Sequence, residues 1–197
     1  MIKDRGNKSL SLRDGGVVAE GVSFDGVSDY MSRSTDLVGN VDSKTFTFSC
    51  WVYSDGDAGK LYQARNTTTA RYFDININGQ YGIDLVHKNY NGTTILQFYV
   101  PTRLPINTWS HLIMSVDMAD SNNRHVFINQ IEVAVVWQVY SNENIQTVGH
   151  SRFVAAQYNG AVPIRARLSN LFLDYTYRDL SIESNRRLFI TEDGKPA

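Results

Sequence analysis

Apolar and polar residues alternate with a period of two along most of this chain, the spacing of strands with one buried face. Residues 71–77 show it best: Phe73, Ile75 and Ile77 fall on one side, Asp74 and Asn76 on the other. Asn78-Gly79 follows, and the alternation resumes at Tyr81, Ile83 and Leu85. Asn-Gly between two such runs predicts a hairpin, because both residues accept the positive φ of a tight turn. Asn91-Gly92 predicts a second tight turn, feeding a strand over residues 94–100. The run 46–53, Phe-Thr-Phe-Ser-Cys-Trp-Val-Tyr, is aromatic and β-branched and predicts a strand packed on both faces. Pro101 and Pro105 bracket a connection that central strands do not tolerate. Further strands are predicted at 109–117, 125–129, 131–136 and 165–177. Roughly ten to twelve strands at this spacing predict a sandwich, not βαβ units. One helix is predicted near the end, with Ser181 as N-cap, Glu183 in the first turn and Arg186 and Arg187 nearer the C-terminal end. Leu188 and Phe189 would seal its inner side.

Composition narrows the class. With 197 residues, 42% hydrophobic and 12% aromatic, the chain has material for one large core. One domain is expected over residues 17–197, preceded by a polar, Gly-punctuated arm at 1–16. A net charge of −1 gives no broad footprint for a nucleic acid or an anionic membrane. The lone Cys50 excludes an intrachain disulfide and reads as a small buried hydrophobe within a strand. No run approaches membrane-spanning length, and the first eight residues lack an apolar signal segment. Synthesis and folding in a cytoplasm, or export by some other route, are therefore expected.

Five pieces, taken in order, resemble the laminin G-like branch of the concanavalin A-like jelly rolls. They are Phe24-Asp25-Gly26 with Asp29-Tyr30, Phe46-Thr47-Phe48-Ser49-Cys50-Trp51-Val52, Trp109-Ser110-His111-Leu112, Val126-Phe127-Ile128-Asn129, and Leu168-Ser169-Asn170-Leu171-Phe172-Leu173-Asp174. One departure is clear: the family commonly has Asn-Gly where this chain has Asn129-Gln130. Gln disfavours positive φ, so this turn is expected to be longer, of another type, or mildly strained. The tail from Asn185 to Ala197 is similar to the ends of laminin G-like proteins encoded by tailed bacteriophages. The resemblance implies an all-β, two-sheet antiparallel jelly-roll sandwich with one short C-terminal helix. It also implies a non-enzymatic structural or accessory protein of a virion, a capsid decoration or tail-associated component. The partners would be other virion proteins and further copies of the chain. The alternative is a stand-alone carbohydrate-binding module for glycan or cell-surface attachment.

Retaining glucanases on this architecture need two carboxyl groups about 5 Å apart. Glu20, Glu132, Glu143, Glu183 and Glu192 form no such paired motif, so no catalytic residue is expected. The four histidines have no zinc spacing, and no Gly-x-Ser-x-Gly elbow is present. No cofactor is expected apart from calcium, which laminin G-like domains often bind. Asp25 and Asp29 are the first candidates, with Asp117 and Asp120 behind them; capping of a tight turn is their plainer role. Sugar binding would use exposed rings beside amides. His87, Asn89 and Tyr90 in one loop, with Trp137 and Tyr140, are the candidate glycan contacts, and Tyr62 and Tyr158 are further loop rings. Arg165, Arg167, Arg186 and Arg187 could meet an acidic partner, with residues 1–16 and 190–197 as docking segments ordered on binding.

Overall fold

A computed structural model describes residues 21–197 apart from Val38, Thr67, Ala70, Gln80 and Tyr81. The 1–16 arm and the Tyr81 position of the alternation lie outside the described residues. The strands are β1 Val22–Asp25, β2 Met31–Arg33, β3 Thr45–Ser54, β4 Gly59–Arg65, β5 Tyr72–Ile77, β6 Ile83–Lys88, β7 Thr94–Tyr99, β8 Thr108–Asp117, β9 Arg124–Ile128, β10 Ile131–Glu132, β11 Val136–Tyr140, β12 Ser151–Val154 and β13 Arg165–Asp174, followed by helix α1, Glu183–Arg186. They form two antiparallel sheets, one of six strands in the order β1-β13-β3-β8-β9-β10 and one of seven in the order β11-β7-β6-β5-β4-β12-β2. This is the two-sheet sandwich with a short helix that the resemblance implied.

Strand β3 shows why the sheets stack. Phe46, Phe48, Cys50 and Val52 point inward and are fully buried. Phe46 meets Phe73 of the facing sheet edge-on, with ring centroids 5.2 Å apart. Burying such a ring is worth about 1.5–3 kcal/mol. Thr47, Ser49 and Trp51 point the other way and are buried too, as the aromatic run predicted. Thr47 donates to the Thr176 carbonyl at 2.7 Å, and Ser115 Oγ accepts from the Arg178 amide at 2.9 Å. The C-terminal segment therefore covers the outer side of the six-stranded sheet. There Ile113, Phe127 and Leu180 form a second small core joined by Phe189.

Several local expectations change. Tyr62 is not a loop ring: it lies in β4, is 3% exposed, and packs on Phe48 and Phe73. Lys60, Gln63 and Arg65 hid this strand, since all three are weak strand formers. Asn78-Gly79 opens a longer loop between Ile77 and Ile83, closed by the Asn78 amide on the Gly82 carbonyl at 3.0 Å. A Cβ at Gly82 would stand 1.7 Å from the Thr102 carbonyl oxygen, so backbone packing imposes that glycine. The helix is capped by position and not by Ser181: Ile182 is the N-cap, and Asp179 accepts from the Ser181 amide at 2.9 Å. Leu188 is 59% exposed, leaving Phe189 to face the sheet.

Asn129 and Gln130 make a two-residue turn between β9 and β10, with φ of 49° and 70°. That is the strained option among the three expected, since an L side chain at positive φ costs about 1–2 kcal/mol. The Gln130 side chain supplies the compensation. Its amide oxygen accepts from Arg187, and its nitrogen donates to the Glu192 carbonyl at 3.4 Å. The tail is thus folded onto the sheet, with Ile190 buried and bridged to Pro196; it is not a segment awaiting a partner. Gln130→Gly is expected to keep the fold, because glycine suits the turn, while amide exchange over residues 187–197 quickens roughly tenfold as a hydrogen-bonded tie is lost. Hydrogen-exchange mass spectrometry checks this; unchanged exchange in the tail would show the tie to be idle.

Candidate functional site

Register across the seven-stranded sheet sets its outer face. Side chains at paired positions share a face, so the pairing lines them up in rows running across the strands. One row is Thr94, Lys88, Tyr72, Arg65 and Ser151. The next is Gln97, Val86, Asp74, Gln63 and Phe153. The third is Tyr99, Asp84, Asn76 and Lys60. The inward residues between them, Phe73, Ile75, Leu85 and Phe98, belong to the core. Among the described residues, the turn around Tyr158 rests on this face, through the Tyr158 amide on Gln63 Oε1 at 2.8 Å.

The polar groups of this face are already organised. Asp74, only 4% exposed, accepts from Lys60 Nζ at 2.5 Å and from Gln63 Nε2 at 2.7 Å. Burial pushes its carboxyl above the usual carboxylate range, and the Lys60 charge opposes that shift. Asp84 accepts from Asn76 at 2.6 Å and from Asn78 at 3.1 Å. The Tyr72 ring stands between two cations, Arg65 at 5.8 Å and Lys88 at 5.7 Å, and the Tyr158 ring stacks on Arg65 at 4.4 Å. Burial raises the Tyr72 hydroxyl above its ordinary value. Fixed carboxylates, amides, cations and tyrosine rims in three parallel rows suit a ligand rich in hydroxyl groups.

The residues singled out from sequence are divided by the structure. Tyr90 is 62% exposed at the β6–β7 turn, with Arg71 against its ring at 5.6 Å. Its loop neighbours do not join it. His87 is fully buried: Nδ1 donates to the Tyr72 carbonyl at 2.8 Å and Nε2 accepts from the Gln146 amide at 3.1 Å. Asn89 caps its own turn, accepting from the Asn91 and Thr93 amides, and donates to Glu143 at 3.0 Å. Trp137 packs on Phe98 at 4.6 Å, with Arg124 over its ring. Tyr140 donates to the Asp117 carbonyl, and burial pushes its hydroxyl up to about 12. Trp137 and Tyr140 close one side of the sandwich, against β7.

Asp25 is a turn cap. Its Oδ1 accepts from the amides of Val27, Ser28 and Asp29 at 2.8–3.0 Å. Those amides, with Ser28 first, hold its carboxyl well below the usual range. Among the described residues no group of three or more His, Cys, Asp or Glu side chains gathers as a metal site, so Asp25 and Asp29 stand without further acidic ligands. Of the arginines, Arg186 lies over Phe127 and donates to the Ser181 carbonyl, while Arg187 is held by Gln130, Glu183 and the Thr191 carbonyl. Both tie the C-terminal segment together. Arg165 remains 60% exposed near Asp55 and Asp57, and Arg167 covers the Tyr53 ring at 4.8 Å. These two sit on β13, whereas Arg186 lies over β9 and Arg187 beside the turn after it, three strands away in the sheet, so the four do not form one basic patch.

Residues 25–171 match the family described as the concanavalin A-like lectin/glucanases superfamily. The chain belongs to that superfamily. No curated protein matches the sequence. Among solved structures, superfamily-like folds include domain 4 of AbnA, a GH43 extracellular arabinanase from Geobacillus stearothermophilus, in complex with arabinotriose. It is 16% identical with a TM-score of 0.62, covering 91% of this chain and 81% of that one. The CBM40 of Ruminococcus gnavus IT-sialidase, bound to alpha2,3 sialyllactose, is 14% identical with a TM-score of 0.60, covering 82% and 93%. Mouse laminin alpha1 chain domains LG4-5 are 13% identical with a TM-score of 0.60; 86% of this chain matches 46% of that one. At these identities the likeness is one of fold.

The outward row residues were visible in the sequence as the polar half of an alternation, but not as a site. Asp74 and Asn76 share a face by periodicity alone; Lys88, Arg65 and Asp84 reach them only through strand pairing.

Three buried histidines give the fold a pH dependence with a definite sign. Burial lowers His87 and His111 to about 4 and His150 to about 3. The unfolded chain binds those protons near pH 6.5, well before the folded chain does. Stability is therefore full above about pH 6.5 and falls as the pH drops toward 4, by about 1.4 kcal/mol per pH unit per histidine. Urea unfolding at pH 7.5, 6 and 5 should show midpoints descending in that order. A flat series would mean that the histidines are not protected from protonation.

Proposed function

We propose that this chain is a non-catalytic glycan-binding module that takes a sugar chain along the outer face of its seven-stranded sheet. The observation that carries the reading is the pre-formed polar face itself. Asp74, Gln63, Asp84 and Asn76 are held by one another in adjacent rows, beside Tyr72 and its cations. Lectin-like and carbohydrate-binding neighbours of the same fold support it.

Catalysis is not part of the reading. Both oxygens of Asp74 and both of Asp84 already accept hydrogen bonds, which leaves neither poised as a general acid. Ser49 Oγ lies 2.8 Å from His111 Nε2, but both residues are buried and His111 Nδ1 has no partner to orient it. No calcium is invoked, and binding is expected to survive chelation by EDTA.

Asp84→Ala removes an exposed-side acceptor without opening the core. It is expected to weaken glycan binding by roughly tenfold, the worth of one charge-assisted hydrogen bond, with the melting temperature little changed. Glycan-array screening followed by calorimetry checks this. If no glycan binds at millimolar concentration, the reading fails.

A role on a virion, as a capsid or tail component assembled from several copies, rests on the similarity of the C-terminal residues. The two roles combine as an attachment element carried on a particle. Mass spectrometry of gradient-purified particles should then find the chain at fixed stoichiometry; its presence in the soluble fraction alone would remove the particle role and leave the glycan role standing.

A further inference from the structure

We infer that the ligand of this face is an acidic glycan, a linear oligosaccharide with carboxylate or sulfate groups on more than one of its sugars. The inference rests on the glycan-binding reading above and narrows its ligand class.

The charges of the face are unevenly spread. Lys60 is neutralised by Asp74, and Asp84 is satisfied by Asn76 and Asn78. Arg65 and Lys88, by contrast, have no carboxylate within ion-pair distance among the described residues. Their recorded contacts are with aromatic rings. Both are half-buried and lie in the same row, on either side of Tyr72.

Ring contacts leave the charges usable. The Arg65 guanidinium lies over the Tyr158 ring at 4.4 Å, with the Tyr72 ring centroid 5.8 Å away. A stacked guanidinium spends its faces on the rings and keeps its in-plane N–H donors, the fork that receives a carboxylate or sulfate in two parallel hydrogen bonds. Tyr72 likewise limits the freedom of the Lys88 side chain, which lowers the entropy lost when an anion binds. Arg65 and Lys88 belong to β4 and β6, separated by β5, so their backbones stand about 10 Å apart at two strand spacings. A single small acidic group reaches one of them; a chain carrying acidic groups at intervals reaches both. Asp84, half-buried in another row, faces the same ligand with a carboxylate that fits the hydroxyl groups of its remaining sugars.

The test uses the full chain and four probes: a galacturonic acid hexamer, its methyl ester, a sulfated dextran oligomer and plain dextran of equal length. Calorimetry is expected to show at least one charged probe bound about tenfold or more tighter than its neutral counterpart. Screening should erode that preference between 50 and 500 mM salt. Lys88→Gln and Arg65→Gln should each shrink the charged-to-neutral ratio about fivefold or more. Lys88→Gln is the variant to rely on if Arg65→Gln lowers the melting temperature. Equal affinity for charged and neutral probes would overturn the acidic assignment and leave the glycan reading standing. So would a preference that neither variant changes. Absence of binding to all four, with none on the wider array, would overturn both.

Discussion

Each residue of β5 points to the side opposite its neighbours, and hydrogen bonding to β4 and β6 decides which side that is. A slip of one residue would turn Phe73, Ile75 and Ile77 out to water and drive Tyr72, Asp74 and Asn76 into the core. The apolar set is worth several kcal/mol buried, and burying the polar set without these partners costs a similar amount. Register is therefore strongly specified, and one constraint builds two things. It seals the core around Phe46, Phe48 and Phe98, and it sets Lys88, Tyr72 and Arg65 in a line.

The two sheets then meet different fates on their outer sides. The six-stranded sheet carries Trp51, Ile113 and Phe127 outward, all nearly buried, and such residues need a cover. The chain after β13 provides it, held by Thr47, Ser115 and Gln130. The seven-stranded sheet carries charged and amide side chains outward and needs none. The C-terminal segment lies where it does because the six-stranded sheet is the one with an apolar outer side.

Polar groups inside the molecule follow the same logic of satisfaction. Arg152, 4% exposed, donates to Asp36 at 2.9 Å and to the carbonyls of His150 and Thr147. Asp36 also accepts from the Gly149 amide, and Asp42 from the amides of Thr147 and Val148. These bonds clamp the loop before β3 to the segment before β12. A buried charge of this kind adds little net stability over an apolar residue of like shape, but leaving it unpaired is costly. It therefore favours one arrangement of the two loops over its alternatives.

The sequence by itself determined the fold class, the both-sided burial of β3 and the inward set of β5, because those depend on local side-chain type and a period of two. It also exposed an odd turn, since Asn129-Gln130 breaks the expected pairing of residue with φ. It gathered candidate residues that the structure separates. His87, Asn89 and Trp137 have the chemistry of a binding loop, yet one is sealed in the core, one caps its turn and one closes the side of the sandwich. Tertiary structure decided this, because exposure depends on what lies opposite a residue and not on its neighbours in the chain. Lys88 and Arg65 are 23 positions apart, the difference of their numbers, and only the pairing of β4 and β6 with β5 puts one tyrosine between two cations. A property that belongs to three strands at once is written in their register, and no single stretch of sequence carries it.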